Sequence, residues 1–392
     1  MTLTRLSIAF IPLTDAAPII AAEEMGFARE EGLAFNLVRA PSWSSLRDML
    51  TFGSVEAAHL LSPVPVAMAL GLGGVASPIS ALMVLSMNGT VIGVSRPLAD
   101  AMAQGGHDFD FKNTARAGKA IIAASKGRLR IGVPFPFSMQ AELLYYWLSA
   151  SGLPAPQGVE IRTVPPPLMA DALAADEIDA FCVGEPWGSK SVEAGSGELL
   201  LPGRAIWSAA PEKVLAVRTD WAHSEPGLSA RLMRAVWKAC RWLGTGGGET
   251  TAAEMLARPA YLDLDAYIID RALTGRLTIN ARGDTRDCAG FVEFYHGAAN
   301  FPWKSQGAWI ARQMAARLGL DRDGVSDPAR AVFRTDLYRR ALAGAGAVLP
   351  GASEKIEGGI AEGTAVAAQS GRLLLGENRF FDGRVFDPVT SD

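Results

Sequence analysis

Hydrophobic and polar residues alternate in blocks along the first hundred positions, and these blocks predict strands followed by helices. Residues 5–12 form a short apolar run typical of a strand, and Asp15 with Pro18 supplies the start of a helix. A second unit follows, with a strand over 34–39 and a helix over LRDML, capped by Ser44. This repeated order predicts a mostly parallel sheet covered by helices on both faces.

A second strand–helix series begins near residue 129. LRIGVPFP reads as a strand, Ser138 as the N-cap of the following helix, and IDAFCVGEPW as a later strand that runs into a turn. Two separate series in one chain predict two lobes. After residue 226 the pattern becomes helical, and the Gly-rich last forty residues predict a tail over the body.

These patterns give an α/β fold class with two lobes and a helical C-terminal part. We expect lobe I to comprise residues 1–95 and 206–392, and lobe II to comprise residues 96–205. The chain has 392 residues, a length that suits more than one folding unit.

Residues 57–95 contain no charged side chain and raise the question of a membrane segment. Three prolines and several glycines divide this stretch into pieces shorter than the roughly 20 apolar residues that a spanning helix needs. We therefore expect a buried helix followed by a buried strand, and no membrane contact. The N-terminus has neither a long apolar region nor a small-residue cleavage site, so we expect a cytoplasmic protein.

Charge and cysteine usage exclude several functions. The net charge is −4, from 37 basic and 41 acidic residues without a block of either sign, so direct nucleic-acid binding is not expected. The three cysteines and four histidines are scattered, without the spacing of a metal site. No GxSxG motif is present either. We expect no cofactor, no metal and no enzymatic activity.

Ligands of open α/β sheets bind outside the carboxyl ends of the strands. The residues that follow predicted strands are therefore candidates for ligand binding: Trp43, Asn88, Gly89, Thr90, Gln140 and Glu185. Each also has a structural explanation. Trp43 suits the core, Asn88-Gly89 is typical of a hairpin turn, Gln140 suits a solvated helix face, and Glu185 suits a helix cap or an ion pair.

Lys304 lies in FPWKSQGAWI, among three large aromatic rings and without a carboxylate in the ten residues. A solvated lysine is one explanation. The other is that its partner is an external anion, since buried lysines need a paired charge. One lysine with neutral donors and helix N-termini fits a monovalent oxyanion better than phosphate, which usually recruits arginine or a Gly-rich loop.

Several of these stretches together resemble one family. The motifs are FIPLTDAAPIIAAEEMGF, APSWSSLRDML, the MNG turn, ALAADEIDAFCVGEPW, EKVLAVRTDW and FPWKSQGAW. They resemble the nitrate- and bicarbonate-binding proteins of ABC importers, of the NrtA and CmpA type. The resemblance implies a periplasmic-binding-protein-like (type II) fold that closes on a small anion, in a cleft lined by Trp43, Thr90, Gln140 and Lys304.

Two positions depart from the pattern of the nitrate importer proteins. Gln140 falls where they usually carry a histidine, and Thr90 falls where they tend to carry a glutamine. Both side chains still donate hydrogen bonds, so the expected ligand class is unchanged. The choice among nitrate, nitrite and bicarbonate stays open.

Without an export signal, the chain resembles the cytoplasmic NasS-type branch of this family. Such sensors hold a NasT-type antiterminator of the ANTAR class inactive until nitrate or nitrite binds. The resemblance therefore implies nitrate or nitrite as the ligand and a NasT-type, RNA-binding antiterminator as the protein partner. The alternatives are an exported solute-binding component of an ABC importer for nitrate or bicarbonate, and an enzyme on the same scaffold.

Overall fold

Two β-sheets, each covered by helices, divide the chain into two lobes. The computed structural model describes residues 3–74, 77–322 and 324–390. One sheet has six strands and the other has five, and two small two-stranded sheets lie outside them. The α/β class and the two-lobed architecture are confirmed.

The elements follow in chain order. The strands are β1 (Thr4–Phe10), β2 (Leu33–Arg39), β3 (Ala57–Leu61), β4 (Ile79–Asn88), β5 (Thr90–Ser95), β6 (Arg130–Val133), β7 (Glu160–Thr163), β8 (Ala180–Gly184), β9 (Gly197–Pro202), β10 (Pro211–Arg218), β11 (Arg276–Thr278), β12 (Thr285–Asp287), β13 (Val292–Glu293), β14 (Thr364–Ala367) and β15 (Arg372–Leu375). The helices of the N-terminal half are α1 (Ala17–Glu24), α2 (Phe27–Glu30), α3 (Trp43–Thr51), α4 (Pro63–Ala69), α5 (Arg96–Gln104), α6 (Thr114–Ala124), α7 (Met139–Ala150), α8 (Met169–Ala174) and α9 (Trp187–Glu193). The later helices are α10 (Thr219–Ser224), α11 (Pro226–Gly244), α12 (Glu249–Leu256), α13 (Ala266–Thr274), α14 (Lys304–Leu318), α15 (Ser326–Val332) and α16 (Thr335–Leu342).

Both large sheets are mixed, whereas the sequence predicted mostly parallel ones. Lobe I has the strand order β13-β4-β10-β3-β1-β2, and lobe II has the order β7-β6-β8-β5-β9. In lobe I, β1 is parallel to β2 and β3, while β10 is antiparallel to β3 and β4. In lobe II, β6 is parallel to β7 and β8, while β5 is antiparallel to β8 and β9. Strands β5 and β10 each arrive from the other lobe and run antiparallel to both of their neighbours, and the short β13 is antiparallel to β4 as well.

The chain crosses between the lobes at Asn88 and Gly89, and again over residues 203–210. Asn88 has φ 59° and Gly89 has φ 88°, so both occupy the left-handed region, which Gly and Asn tolerate better than other residues. The expected lobe boundary at residue 95 is displaced, because β5 pairs with lobe II strands. Asn88-Gly89 is also not a hairpin turn, since β4 and β5 belong to different sheets.

The uncharged stretch forms buried structure, as predicted. The first five residues of helix α4 are buried, and nearly all of β4, which lies between β13 and β10 in the lobe I sheet, is buried. Within the described ranges, no helix combines the length and the apolar character that crossing a bilayer requires.

The C-terminal tail contacts both the second crossover and lobe II. The Ser208 backbone N–H donates to Arg379 O at 2.9 Å, and the Tyr146 hydroxyl on α7 donates to Asp382 at 2.9 Å. The tail therefore lies across the region where the lobes join.

Candidate functional site

Helix α7 places a polar side chain against the opposite lobe. Ser138 caps the helix as predicted, because its hydroxyl accepts the Ala141 backbone N–H at 3.1 Å. The cap fixes the first turn, where Gln140 is buried and donates from Nε2 to Glu212 Oε1 at 2.5 Å. Since Glu212 belongs to lobe I, this hydrogen bond joins the two lobes.

Lys213, the next residue on β10, is fully buried beside this contact. Its Nζ lies 2.7 Å from Glu212 Oε1 and 2.8 Å from Asp15 Oδ2. Consecutive residues of a regular strand point to opposite faces. The register of β10 shifts on either side of Lys213, and such a bulge lets neighbouring side chains meet.

A histidine and a tryptophan complete the cluster on lobe I. His59 Nε2 lies 2.9 Å from Asp15 Oδ1, and the Trp43 ring lies 5.5 Å from Lys213 Nζ. Helix α3 begins at Trp43, and its cap is Ser42 rather than the predicted Ser44. We call the hydrogen-bonded chain of side chains the interlobe network; it consists of His59, Asp15, Lys213, Glu212 and Gln140.

The charges of the network nearly cancel. Burial alone favours the neutral forms, but the neighbouring charges lower the pKa of Asp15 and raise the pKa of Lys213, so both are ionised near neutral pH. Burial also lowers the pKa of His59, which keeps the imidazole neutral, and raises the pKa of Glu212. The network therefore has no net charge when Glu212 holds a proton, and one negative charge when it does not.

Several buried polar atoms around the network have no hydrogen-bond partner within the described part of the chain. Buried polar atoms normally find a partner, so unpartnered ones in one region favour a binding site for a polar guest. These atoms are Thr14 Oγ1, Trp43 Nε1, His59 Nδ1, Gln140 Oε1 and Glu212 Oε2.

A cavity of about 160 Å³ opens beside Trp43. Lobe I contributes Arg39 and Ser42 to its walls, and lobe II contributes Phe135 and Thr163. A water molecule occupies about 30 Å³ in the liquid, so the cavity has room for a small ion together with water. Trp43, whose ring lies beside Lys213, is the residue that this cavity shares with the surroundings of the network.

The other candidate residues have structural roles around this site. The Thr90 hydroxyl is buried and donates to Val183 O at 2.8 Å. Glu185 is buried and accepts the Ser189 backbone N–H at 3.0 Å, so it caps the start of α9. Asn88 Nδ2 donates to Ser208 O at 2.8 Å, which ties the two crossovers together.

The structure does not bring Lys304 into the network. Lys304 begins α14, its backbone N–H donates to Ser353 O at 3.0 Å, and its side chain is half-buried. Its ammonium makes no hydrogen bond or ion pair with any residue of the described ranges. The neighbouring rings belong to the core: Phe301 packs on Trp303 at 4.6 Å. The aromatic sequence around Lys304 therefore reflects core packing, and Lys304 is not part of the network that includes Gln140 and lies beside Trp43.

Four members of the network were not among the predicted site residues: Asp15, His59, Glu212 and Lys213. The sequence signal for Glu212 and Lys213 is the segment EKVLAV, in which these two opposite charges begin a run that is otherwise typical of a buried strand. Charged residues in such a run need partners, and this pair finds Asp15 from the first strand–helix connection.

Two mixed α/β lobes, two crossovers between them and a polar network in the cleft define the class of two-lobed solute-binding proteins. The chain belongs to the NMT1-like family, which it matches over residues 2–257.

Relatives and solved structures agree with this assignment. The chain is 29% identical to the nitrate/nitrite binding protein NrtA of a Nostoc species, over 98% of this chain and 83% of that protein. It is 33% identical to the nitrate import ATP-binding protein NrtC of a Synechocystis species, over 79% of this chain but only 46% of that protein. The chain thus spans about half the length of NrtC.

Among solved structures, the periplasmic nitrate-binding protein NrtA from Synechocystis superposes with a TM-score of 0.83, at 25% identity, covering 98% of this chain and 96% of that one. The alkanesulfonate-binding protein SsuA from Xanthomonas axonopodis shares the fold, with a TM-score of 0.58 at 19% identity, over 84% and 98% of the two chains.

Glu185 predicts a measurable pH dependence of stability. Burial raises its pKa to about 7 from the ordinary 4.5, so the folded state binds this proton more tightly than the unfolded state does. The free energy of unfolding should therefore fall as pH rises from 4.5 to about 7, and Glu185 should account for about 3 kcal/mol of that decrease. Glu185→Gln keeps an oxygen for the Ser189 N–H but cannot titrate.

Denaturant unfolding at a series of pH values checks this expectation. The curve of the Glu185→Gln variant should be flatter than that of the unmodified protein across this pH range. Glu254→Gln, at an exposed position, should leave the curve unchanged. Parallel stability curves for the unmodified protein and Glu185→Gln would contradict the raised pKa of Glu185.

Proposed function

We propose that the protein binds a small monovalent oxyanion, nitrate or nitrite, between its lobes, and that this binding releases a NasT-type antiterminator of the ANTAR class. The observation that carries the proposal is the buried Lys213 ammonium at the contact between the lobes. Similarity to nitrate-binding NrtA over 98% of the chain supports nitrate or nitrite as the guest.

Lys213 replaces Lys304 as the proposed cation of the site. The unpartnered donor Trp43 Nε1 and the hydroxyl of Thr14 supply neutral hydrogen bonds. Gln140 Nε2 now donates to Glu212, and it can turn to an anion instead. A planar oxyanion accepts several such bonds, and charge-assisted bonds to the ammonium are the strongest of them.

The carboxylates of the network set a condition on anion binding. A guest anion must share the ammonium with Asp15 and Glu212, which already contact it. An ionised Glu212 would repel the guest in a site of low dielectric constant. A protonated Glu212 leaves the network uncharged and offers one more donor. We therefore propose that the anion binds together with a proton, held by Glu212.

Lobe closure links this site to a partner. The lobes are in contact through the Gln140–Glu212 hydrogen bond and through Trp187 Nε1, which donates to Pro12 O at 2.7 Å. If the anion favours this closed form and the partner favours an open form, each weakens the binding of the other by the same factor. A change from 1:99 to 99:1 needs about 5.5 kcal/mol of differential affinity. Two charge-assisted bonds of about 1.5–3 kcal/mol each supply about 3–6 kcal/mol, so they reach that amount at the upper end of their range.

The location proposed with this function is the cytoplasm, where the antiterminator and its RNA are found. The second candidate function is the solute-binding component of an ABC importer for nitrate or bicarbonate. The named relatives favour it equally, since NrtA and NrtC are described as nitrate-binding and nitrate-import proteins. Both functions need the same anion site, and they differ in the partner.

The first test compares the two lysines by isothermal titration calorimetry with nitrate, nitrite and bicarbonate. Loss of a charge-assisted bond predicts that Lys213→Met combined with Glu212→Gln weakens nitrate binding by about 10- to 150-fold. The double change removes one of the two buried carboxylates that would lose their cation, and it leaves Asp15 in contact with His59. The control is Lys304→Met, which should bind nitrate as the unmodified protein does.

Isothermal titration in buffers with different enthalpies of ionisation measures how many protons the protein takes up or releases when nitrate binds. The unmodified protein should take up protons with the anion near neutral pH, whereas Glu212→Gln should not. Unchanged affinity in the Lys213 variant, with loss of affinity in Lys304→Met, would contradict the proposed site.

The second test addresses the partner. A complex with a NasT-type antiterminator should form without nitrate and dissociate when nitrate is added, because the two ligands oppose each other. Size-exclusion chromatography with and without nitrate measures this. The Lys213→Met/Glu212→Gln variant should need a nitrate concentration about 10- to 150-fold higher than the unmodified protein does before the complex dissociates. Failure to form any complex, with normal nitrate binding, would favour the importer component.

A further inference from the structure

Two segments at the ends of strands from different lobes contact each other beside the interlobe network. Residues 12–14 follow β1 in lobe I, and residues 184–187 end and follow β8 in lobe II. The Trp187 indole donates from Nε1 to Pro12 O at 2.7 Å, so a side chain of lobe II holds the backbone of lobe I. We call this pair of segments the loop contact.

The loop contact is dry and closely packed. A second hydrogen bond crosses it, from the Thr14 backbone N–H to Glu185 O at 2.9 Å. Trp187 is 6% exposed, and Leu13 is 1% exposed. A Cβ atom at Gly184 would lie only 3.1 Å from Leu13 Cδ2, so the two segments leave little room between them. Both hydrogen bonds are therefore shielded from water, and losing a partner would leave a buried polar group unpaired.

The loop contact also borders the network directly. The same Cβ position at Gly184 lies 3.7 Å from Gln140 Nε2 and 3.8 Å from Asp15 Oδ2. Asp15 is the next residue after the 12–14 segment, and its Oδ2 lies 2.8 Å from Lys213 Nζ. A shift of the 12–14 backbone would therefore displace the carboxylate that holds the ammonium.

We propose that Trp187 is a positioning residue of the anion site. Its hydrogen bond to Pro12 holds, from lobe II, the lobe I segment that carries the Thr14 hydroxyl and the Asp15 carboxylate. Trp187 acts on Lys213 through this segment. The inference rests on the proposed binding of nitrate or nitrite beside Lys213. Without the hydrogen bond, part of the free energy of anion binding must be spent on ordering the segment, and the affinity falls.

Trp147 supplies a matched comparison for a purely structural role. Its indole Nε1 donates to the backbone carbonyl of Thr114 at 2.9 Å, and the ring is fully buried. Both residues lie on helices of lobe II, α7 and α6, so this hydrogen bond does not cross the junction. Replacing Trp147 by phenylalanine therefore removes the same kind of buried hydrogen bond without touching the loop contact.

The experiment compares Trp187→Phe and Trp147→Phe with the unmodified protein by thermal unfolding and by isothermal titration calorimetry with nitrate. Both variants should lower the melting temperature, because each loses a buried hydrogen bond and part of a buried ring. Trp187→Phe should weaken nitrate binding by about 2- to 12-fold, the factor that corresponds to one hydrogen bond. Trp147→Phe should bind nitrate as the unmodified protein does. Trp187→Met, whose flexible apolar side chain also lacks the donor, replaces Trp187→Phe if that variant does not fold.

A double-mutant cycle shows whether Trp187 acts through the ammonium. In the Lys213→Met/Glu212→Gln background, Trp187→Phe should weaken nitrate binding by a smaller factor than it does in the unmodified protein. A purely structural contribution would give the same factor in both backgrounds.

Three results would overturn the inference while leaving the proposed function intact. They are unchanged nitrate affinity in Trp187→Phe, equal weakening in Trp187→Phe and Trp147→Phe, and additive losses in the double-mutant cycle. If the unmodified protein binds neither nitrate nor nitrite, the proposed function fails and the inference fails with it.

Discussion

A lysine without any exposure to water, held between two carboxylates of its own chain, is the constraint on which the site depends. A buried ammonium is stable only when its charge is balanced, and the ionised Asp15 balances that of Lys213, whose ammonium also contacts Glu212. The same balance limits what can enter. In the proposed binding mode, a guest anion either displaces a carboxylate from the ammonium or arrives with a proton.

The fold places this cluster where motion can affect it. Asp15, His59 and Lys213 belong to lobe I, and Gln140 reaches them from lobe II. The two crossovers and the C-terminal tail lie at the junction of the lobes. A change in lobe angle therefore alters the proposed anion site.

The fold was predictable from the sequence because its signals are local. The cap at Ser138 and the alternating strands and helices need only neighbouring residues to be recognised. Lys213 could not be assigned, because its partner Asp15 is about two hundred positions away and a bulge aims the side chain. The sequence predicted Lys304 as the cation of the site because no carboxylate is near it in sequence. Distance along the chain does not show which side chains surround a residue in the folded structure.

A crystal structure of the protein grown with nitrate, or with bromide as an anomalous substitute, tests the central claim most directly. The account predicts density for one anion between the lobes, within hydrogen-bond distance of Lys213 Nζ and bounded by Trp43 and Gln140. An anion bound at Lys304, with the ammonium of Lys213 still fully engaged by Asp15 and Glu212, would contradict it.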